Sequence, residues 1–318
     1  MVSRKVIQHG KSSLSATLPN KWTKKNKIKK GQEIDMIDKG RYLIIDSKER
    51  DKELSKNVKF SDKIPKSMVM HYTAALYRVG YDKLIFKYDI AKTYKAIAEV
   101  TGCDLNGFDI IENKNNTCTI HSPSKIEENE FNKIFESLLH NVFEIANSSF
   151  NAIKNDDDDE IENAQTQENI INRNANYCER KLIKEGHVSP EEIPFLFYII
   201  KELENIGDEY SDICNHYSNK LSSKTLEVYN EVNDCLGELK KLILKEIIKK
   251  SLKLEDGAKL YQDLGNKIGK VDNLLDANNK DDCILHHLSN VLRRTKSCLG
   301  CLFSIMIVEE QYELEPDC

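Results

Sequence analysis

Three carboxylates stand four residues apart in Leu203-Glu204-Asn205-Ile206-Gly207-Asp208-Glu209-Tyr210-Ser211-Asp212. On a helix, Glu204, Asp208 and Asp212 stack along one face at about 6 Å per turn. Oxygen ligands in such a row suit hard cations such as Mg²⁺, Mn²⁺ or Fe³⁺. The alternative is a plain solvated acidic face. A fourth acid, Glu168, falls on the apolar spacing Ile161, Ala164, Ile171, Ala175, Cys178, Leu182 of the preceding helical segment. That is an odd place for a lone carboxylate, and Asn172 and Arg173 follow it within one turn. A bound metal ion, whether iron, manganese, magnesium or zinc, is the one cofactor this chemistry points to.

Other clusters are weaker. His286-His287 stands beside Asp281 and Asp282, but adjacent helical residues point about 100° apart, so the pair offers one ligand at best. Cys298 and Cys301 lie inside an apolar helical pattern with no second pair at zinc spacing, and read as core or interface thiols. None of the eight histidines has a glutamate three residues before it, as di-iron bundles require. There is no Gly-x-x-x-x-Gly-Lys loop and no Ser/His or Cys/His constellation. The chain is therefore not expected to be an enzyme.

The elements that must position these acids are helices. From Glu127 to Val308 the pattern predicts six, at about 127–154, 158–184, 191–220, 223–251, 255–277 and 281–308. Leu196, Ile199, Leu203, Ile206, Tyr210, Ile213 and Tyr217 follow a 3,4 spacing in the third. Leu285, Leu288, Leu292, Thr295, Leu299, Leu302 and Met306 do so in the sixth. Helices of about 40 Å with such stripes pack as a long bundle. The third and sixth occupy equivalent places in a 3 + 3 arrangement, an internal duplication eroded in sequence. The run Asp156 to Asp159 falls where the second helix begins, and carboxylates there suit the positive end of the helix dipole.

Charge is divided unevenly along the 318 residues. The first 30 hold nine Lys/Arg and no Asp or Glu. The first 50 carry 13 basic and 5 acidic residues, a net of +8, so the other 268 carry −13 of the total −5. A basic head on an acidic body suggests a polyanion-binding module joined to a sensing or scaffolding part. The head reads as strand (Arg4 to Gln8), strand (Ser13 to Leu18), a short helix after Pro19, and a hairpin around Lys39-Gly40-Arg41. Fifty residues bury too little surface alone, so dimerisation is expected.

This head resembles the AbrB/MazE-like (SpoVT-AbrB) swapped-hairpin DNA-binding domain. Arg4-Lys5-Val6-Ile7-Gln8-His9-Gly10, Leu18-Pro19-Asn20-Lys21-Trp22 and Ile28-Lys29-Lys30-Gly31-Gln32-Glu33-Ile34 carry the resemblance across residues 2–47. It implies two interlocked chains presenting basic side chains to DNA, here Arg4, Lys5, Lys11, Lys21, Lys24 and Lys25. Residues 51–125 read as a small α/β connector: a helix from Ile64 to Gly80, a strand at 83–87, a helix at 90–100, and strands at 108–112 and 117–121. Its Gly107-Phe-Asp-Ile-Ile-Glu112 stretch resembles the connector of archaeal regulators of this architecture.

The helical body resembles the PhoU family of phosphate-uptake regulators, built from two three-helix repeats. Leu203-Glu204-Asn205-Ile206-Gly207-Asp208 is similar to that family's Leu-Glu-Arg-Ile-Gly-Asp motif, with Asn205 for Arg. Glu168 matches the preceding acidic motif incompletely, Asn172 standing where Asp is usual. The resemblance implies a metal cluster on these acids. The second repeat departs from it: sliding by heptads pairs Glu204 and Asp208 with His286 and Asn290, or with Arg293 and Ser297, so at most one cluster is expected.

The expectation is a mainly α protein in three parts: an AbrB/MazE-like head (1–50), an α/β connector (51–125) and a PhoU-like bundle (126–310). It would act as a homodimeric, DNA-binding regulator of phosphate uptake whose bundle senses or docks. The alternative is a metal-bearing scaffold that docks on a phosphate transporter or signalling kinase without binding DNA. No apolar run approaches the ~20 residues a membrane span needs, and the N-terminus has no signal-peptide pattern, so a cytoplasmic location is expected.

Overall fold

The computed structural model describes residues 3–11, 13–38, 43–46, 53–122, 130–186, 188–275 and 280–313. Two compact units emerge, Met1–Glu53 and Leu54–Leu314. In all, a mixed α/β N-terminal region with small sheets precedes a six-helix bundle.

In the first unit, β1 (Ile7–His9) pairs antiparallel with β2 (Ser13–Ser15). Gly10 opens their turn at φ +75°, a conformation glycine adopts without Cβ strain. Pro19 leads into α1 (Asn20–Lys25), and β3 (Asp35–Asp38) pairs with β4 (Leu43–Asp46). The expected turn Lys39-Gly40-Arg41 lies outside the described residues. Apolar side chains here are poorly covered: Val6 is 62% and Leu14 73% exposed, and Ile7, Met36 and Leu43 are also exposed.

The second unit begins with a four-stranded sheet ordered β5-β6-β8-β7. It comprises β5 (Ser55–Phe60), α2 (Lys66–Arg78), β6 (Lys83–Tyr88), α3 (Ala91–Asp104), β7 (Asp109–Lys114) and β8 (Thr117–His121). β5 runs parallel to β6, while β8 is antiparallel to both β6 and β7. Asn115 and Asn116, at φ +51° and +53°, make the β7–β8 turn, where asparagine tolerates the left-handed region. Strand β5 was not expected from sequence. It is an edge strand with one apolar face, so Ser55-Lys-Asn-Val-Lys-Phe60 is largely polar.

The bundle consists of α4 (Glu130–Asn155), α5 (Asp158–Glu185), α6 (Ile193–His216), α7 (Ser223–Ile243), α8 (Leu254–Leu275) and α9 (Asp282–Glu313). A π-helical turn at Leu244–Ile248 ends α7. Helices α4, α5 and α6 pack on one another, as do α7, α8 and α9, and the two sets meet through α6–α9 and α4–α7. The 3,4 stripe of α6 from Leu196 to Ile213 is buried, as is that of α9 from Leu285 to Met306. Asp157 caps α5, accepting from the Glu160 amide at 3.1 Å, and Asp158, Asp159 and Glu160 fill its first turn. No helix among the described residues is long and apolar enough to cross a membrane.

The α/β region docks on α5 through Arg180, which is 1% exposed. Its guanidinium donates to the Tyr77 carbonyl (2.6 Å), the Tyr81 carbonyl (2.8 Å) and Asp82 Oδ1 (2.7 Å). It also lies over the Tyr77 and Phe108 rings, 4.9 and 5.2 Å from their centroids. Lys184 pairs with the same Asp82 carboxylate. Burial pushes that carboxyl up, but bonds from Lys184 and the Leu54 amide and the charges of Lys184 and Arg180 outweigh it, so its pKa is lowered.

Candidate metal centres and basic head

The approach of α5 to α6 is set by Gly207. A Cβ there would sit 3.0 Å from Ile171 Cδ1 and 3.1 Å from its Cγ2, so glycine lets the helices close up between their acidic stripes. Glu168 and Asn172 lie on α5, and Asn172 Nδ2 donates to Glu168 Oε1 at 3.4 Å. Glu204 and Asp208 lie on α6, Glu204 paired with Lys201. Burial, then the charges of Glu204 and Glu168, push the Asp208 carboxyl up to about 7. Lys201 partly offsets this, and Asp212 adds the smallest of these contributions.

A plain solvated face was the alternative reading of the three acids of α6. Instead Asp208 is half-buried and the Glu204 side chain is 14% exposed. Helices α2 and α3 of the α/β region pack on α5, and α3 brings one further acid to the cluster while α5 supplies another. Asp104, at the end of α3, has its pKa raised by burial and then by Glu204 and Glu168. Glu179, 2% exposed on α5, is pushed up to about 7 by burial, although Arg78 Nε lies 3.2 Å from its Oε2. Sequence reading missed both, because neither lies on the stripe of Glu204 or within one turn of Glu168. Among the described residues, no donor reaches two buried acceptors here, Asn172 Oδ1 and Glu179 Oε1.

The carboxylates are electrostatic neighbours, yet they do not draw three oxygens to one point. Among the described residues, that closeness belongs to a different group. His216, Cys283 and His287 each offer a ligand atom, and these atoms lie within 4.8 Å of one another, a triad suited to a metal ion. His216 is the last residue of α6; Cys283 and His287 are one turn apart on α9. From the expected cluster, His287 alone takes part. Its ring is inclined 71° to that of His286 and stacks instead on His216, with centroids 5.3 Å apart. Asp281 is a cap, accepting from the Ser222 amide (3.0 Å) and Thr225 Oγ1 (2.7 Å).

Behind the triad, Glu209 accepts from His287 Nδ1 (2.8 Å), Asn290 Nδ2 (3.2 Å) and Arg294. Burial raises the Glu209 carboxyl, and these hydrogen bonds outweigh it, leaving the pKa lowered. Arg294 also reaches Glu202 at 3.1 Å, so this arginine of the second half serves the inner acids of α6. Arg293 pairs with Asp272 at 2.9 Å.

In the head, Arg4, Lys5, Lys11, Lys21, Lys24 and Lys25 are all exposed. Lys11 lies in the β1–β2 turn, and Lys24 and Lys25 occupy the last turn of α1, where positive charge complements the dipole. Compared with family models, curated proteins and solved structures, the chain gave no match.

Proposed function

We propose that the chain is a homodimeric, DNA-binding regulator of phosphate uptake. Its head is read as AbrB/MazE-like, and its bundle as a PhoU-like body of two three-helix repeats. The observation that carries this reading is the head itself, whose six candidate cations are exposed and whose Val6, Ile7 and Leu14 are 57–73% exposed among the described residues. A second copy would bury Val6, Ile7 and Leu14 and double the positive charge available to phosphates. In the body, the all-oxygen donor set suits a hard cation in its chemistry, and the cation would have to draw the carboxylates together. Glu168, Glu204 and Asp208 would hold it, with Asp212 at the edge, and Lys201 would give up Glu204. A cation would offset the mutual repulsion that burial imposes on these acids. Because Asp104 belongs to the α/β region, the same charge would be felt where that region meets the bundle.

Binding of the full chain to duplex DNA at low salt, followed over a salt series, tests the regulator. Each phosphate contact contributes about 0.9 to the slope of log affinity on log salt. Lys11→Ala and Lys24→Ala should each weaken binding and flatten that slope with sequence preference unchanged, and deletion of residues 1–50 should abolish binding. Binding that survives the deletion, or none by the full chain, would transfer the function to a scaffold docking on a transporter or kinase. For the body, Glu204→Ala with Asp208→Ala should remove stoichiometric Mn²⁺ while the helical spectrum is kept. Unchanged manganese content would exclude these ligands.

A further inference from the structure

We propose that His216, Cys283 and His287 form a zinc site that ties the end of α6 to the start of α9. It stands independently of the regulator reading. The three ligand atoms lie within 4.8 Å of one another. A tetrahedral zinc with bonds of ~2.0–2.3 Å needs its ligand atoms closer than that, about 3.5 Å apart. The remaining ångström is within reach of side-chain rotation, because His216 and Cys283 are exposed.

The hydrogen bonds around the histidines select the ligand nitrogen. His287 Nδ1 lies 2.8 Å from Glu209 Oε2, and His216 Nδ1 lies 2.8 Å from the Asp212 carbonyl. An ionised carboxylate and a carbonyl only accept, so each Nδ1 carries a proton. The lone pair left on each ring is therefore at Nε2. A carboxylate or carbonyl behind a ligating imidazole is the usual outer support of a zinc histidine, fixing tautomer and ring orientation. Glu209 is itself held by Asn290 and Arg294, so the support behind His287 is rigid.

Ligand chemistry then selects the ion. Two imidazoles and one thiolate favour zinc over the magnesium or manganese that the carboxylates of α5 and α6 would take. Binding takes the thiol proton from Cys283 into solvent and forms one Zn–S and two Zn–N bonds. Three protein ligands leave the fourth position to water. The ion would clip the two three-helix halves together at one end of the bundle, since His216 belongs to one half and Cys283 and His287 to the other.

The test uses full-length protein freed of metal by a chelator, titrated with Zn²⁺ against a chromophoric competitor and, separately, with Co²⁺. One equivalent of zinc is expected, and the cobalt form should show a thiolate-to-metal charge-transfer band in the near ultraviolet. Cys283→Ser, a change at an exposed residue, should abolish that band and weaken zinc by at least tenfold. Glu209→Gln should weaken it by about 10- to 100-fold. Glu204→Ala with Asp208→Ala should leave both readouts intact, which separates this site from the carboxylate cluster. Absence of the band in wild type, or unchanged zinc affinity in Cys283→Ser, overturns the proposal.

Discussion

Replacing Arg180 with alanine is expected to cost about 3–5 kcal/mol of the stability of the docked α/β region, the range for breaking a buried charged network from one side. The side chain is almost fully enclosed, and it is the shared donor for two carbonyls and one carboxylate of the α2–β6 connection. Without it, both carbonyls lose a charged donor: that of Tyr77 keeps the Gly80 amide at 3.0 Å, while that of Tyr81 stands to lose about 1–3 kcal/mol as a buried acceptor left unsatisfied. Asp82 keeps Lys184, which softens the loss at that one atom. Arg180→Lys should recover little, because an ammonium cannot reproduce the planar fork or the stacking on Tyr77 and Phe108. Urea unfolding followed by hydrogen exchange should show residues 66–88 opening well before the bundle. A single unfolding transition shifted by under 1 kcal/mol would refute this account of the docking.

Asp208→Asn should stabilise the metal-free protein at pH 8 and do progressively less as the pH falls toward 4. The folded carboxyl titrates near 7 and the unfolded one near 3.8. Between those values the folded state holds a proton that the unfolded state has released, so stability falls as pH rises through that window. Above 7 the cost is fully present, and below 4 both states are neutral and it vanishes. Asparagine has nearly the same shape and no charge. The gain at pH 8 should be on the order of 2 kcal/mol once partial exposure is discounted, a rise of about 4 °C in Tm for a unit of this size. Melts in the presence of chelator across pH 4–8 measure it. A difference that stays constant across that range would mean that Asp208 is not an electrostatic liability.

The bundle was legible because its cause is local and periodic. The stripes of α6 and α9 repeat every seven residues, and each apolar position from Leu196 to Ile213 and from Leu285 to Met306 is buried. The acidic start of α5 was legible for the same reason, acting within one turn, and the structure adds that Asp157 is its cap. Strand β5 was not, since its partner β6 lies beyond an intervening helix and an edge strand needs few apolar residues. Glu204 and Asp208 were found by spacing on one helix, but their coupling to Asp104 at the end of α3 depends on tertiary packing that no spacing within α6 reports. His216 and Cys283 were passed over because their meeting depends on the pairing of α6 with α9. The one-turn spacing of Cys283 and His287 on α9 was the signal available, but His287 was discounted on its neighbour His286.

The Arg180 contacts have a consequence for how the chain reaches its native state. They join residues 98–103 positions apart. Closing a loop of that length costs entropy before any contact rewards it, whereas the sheet and its two helices are assembled from much nearer pairings. The α/β region is therefore expected to form first and dock late. During synthesis the Tyr81 carbonyl leaves the ribosome about a hundred residues before the guanidinium that will bind it, and water is its partner in the interval.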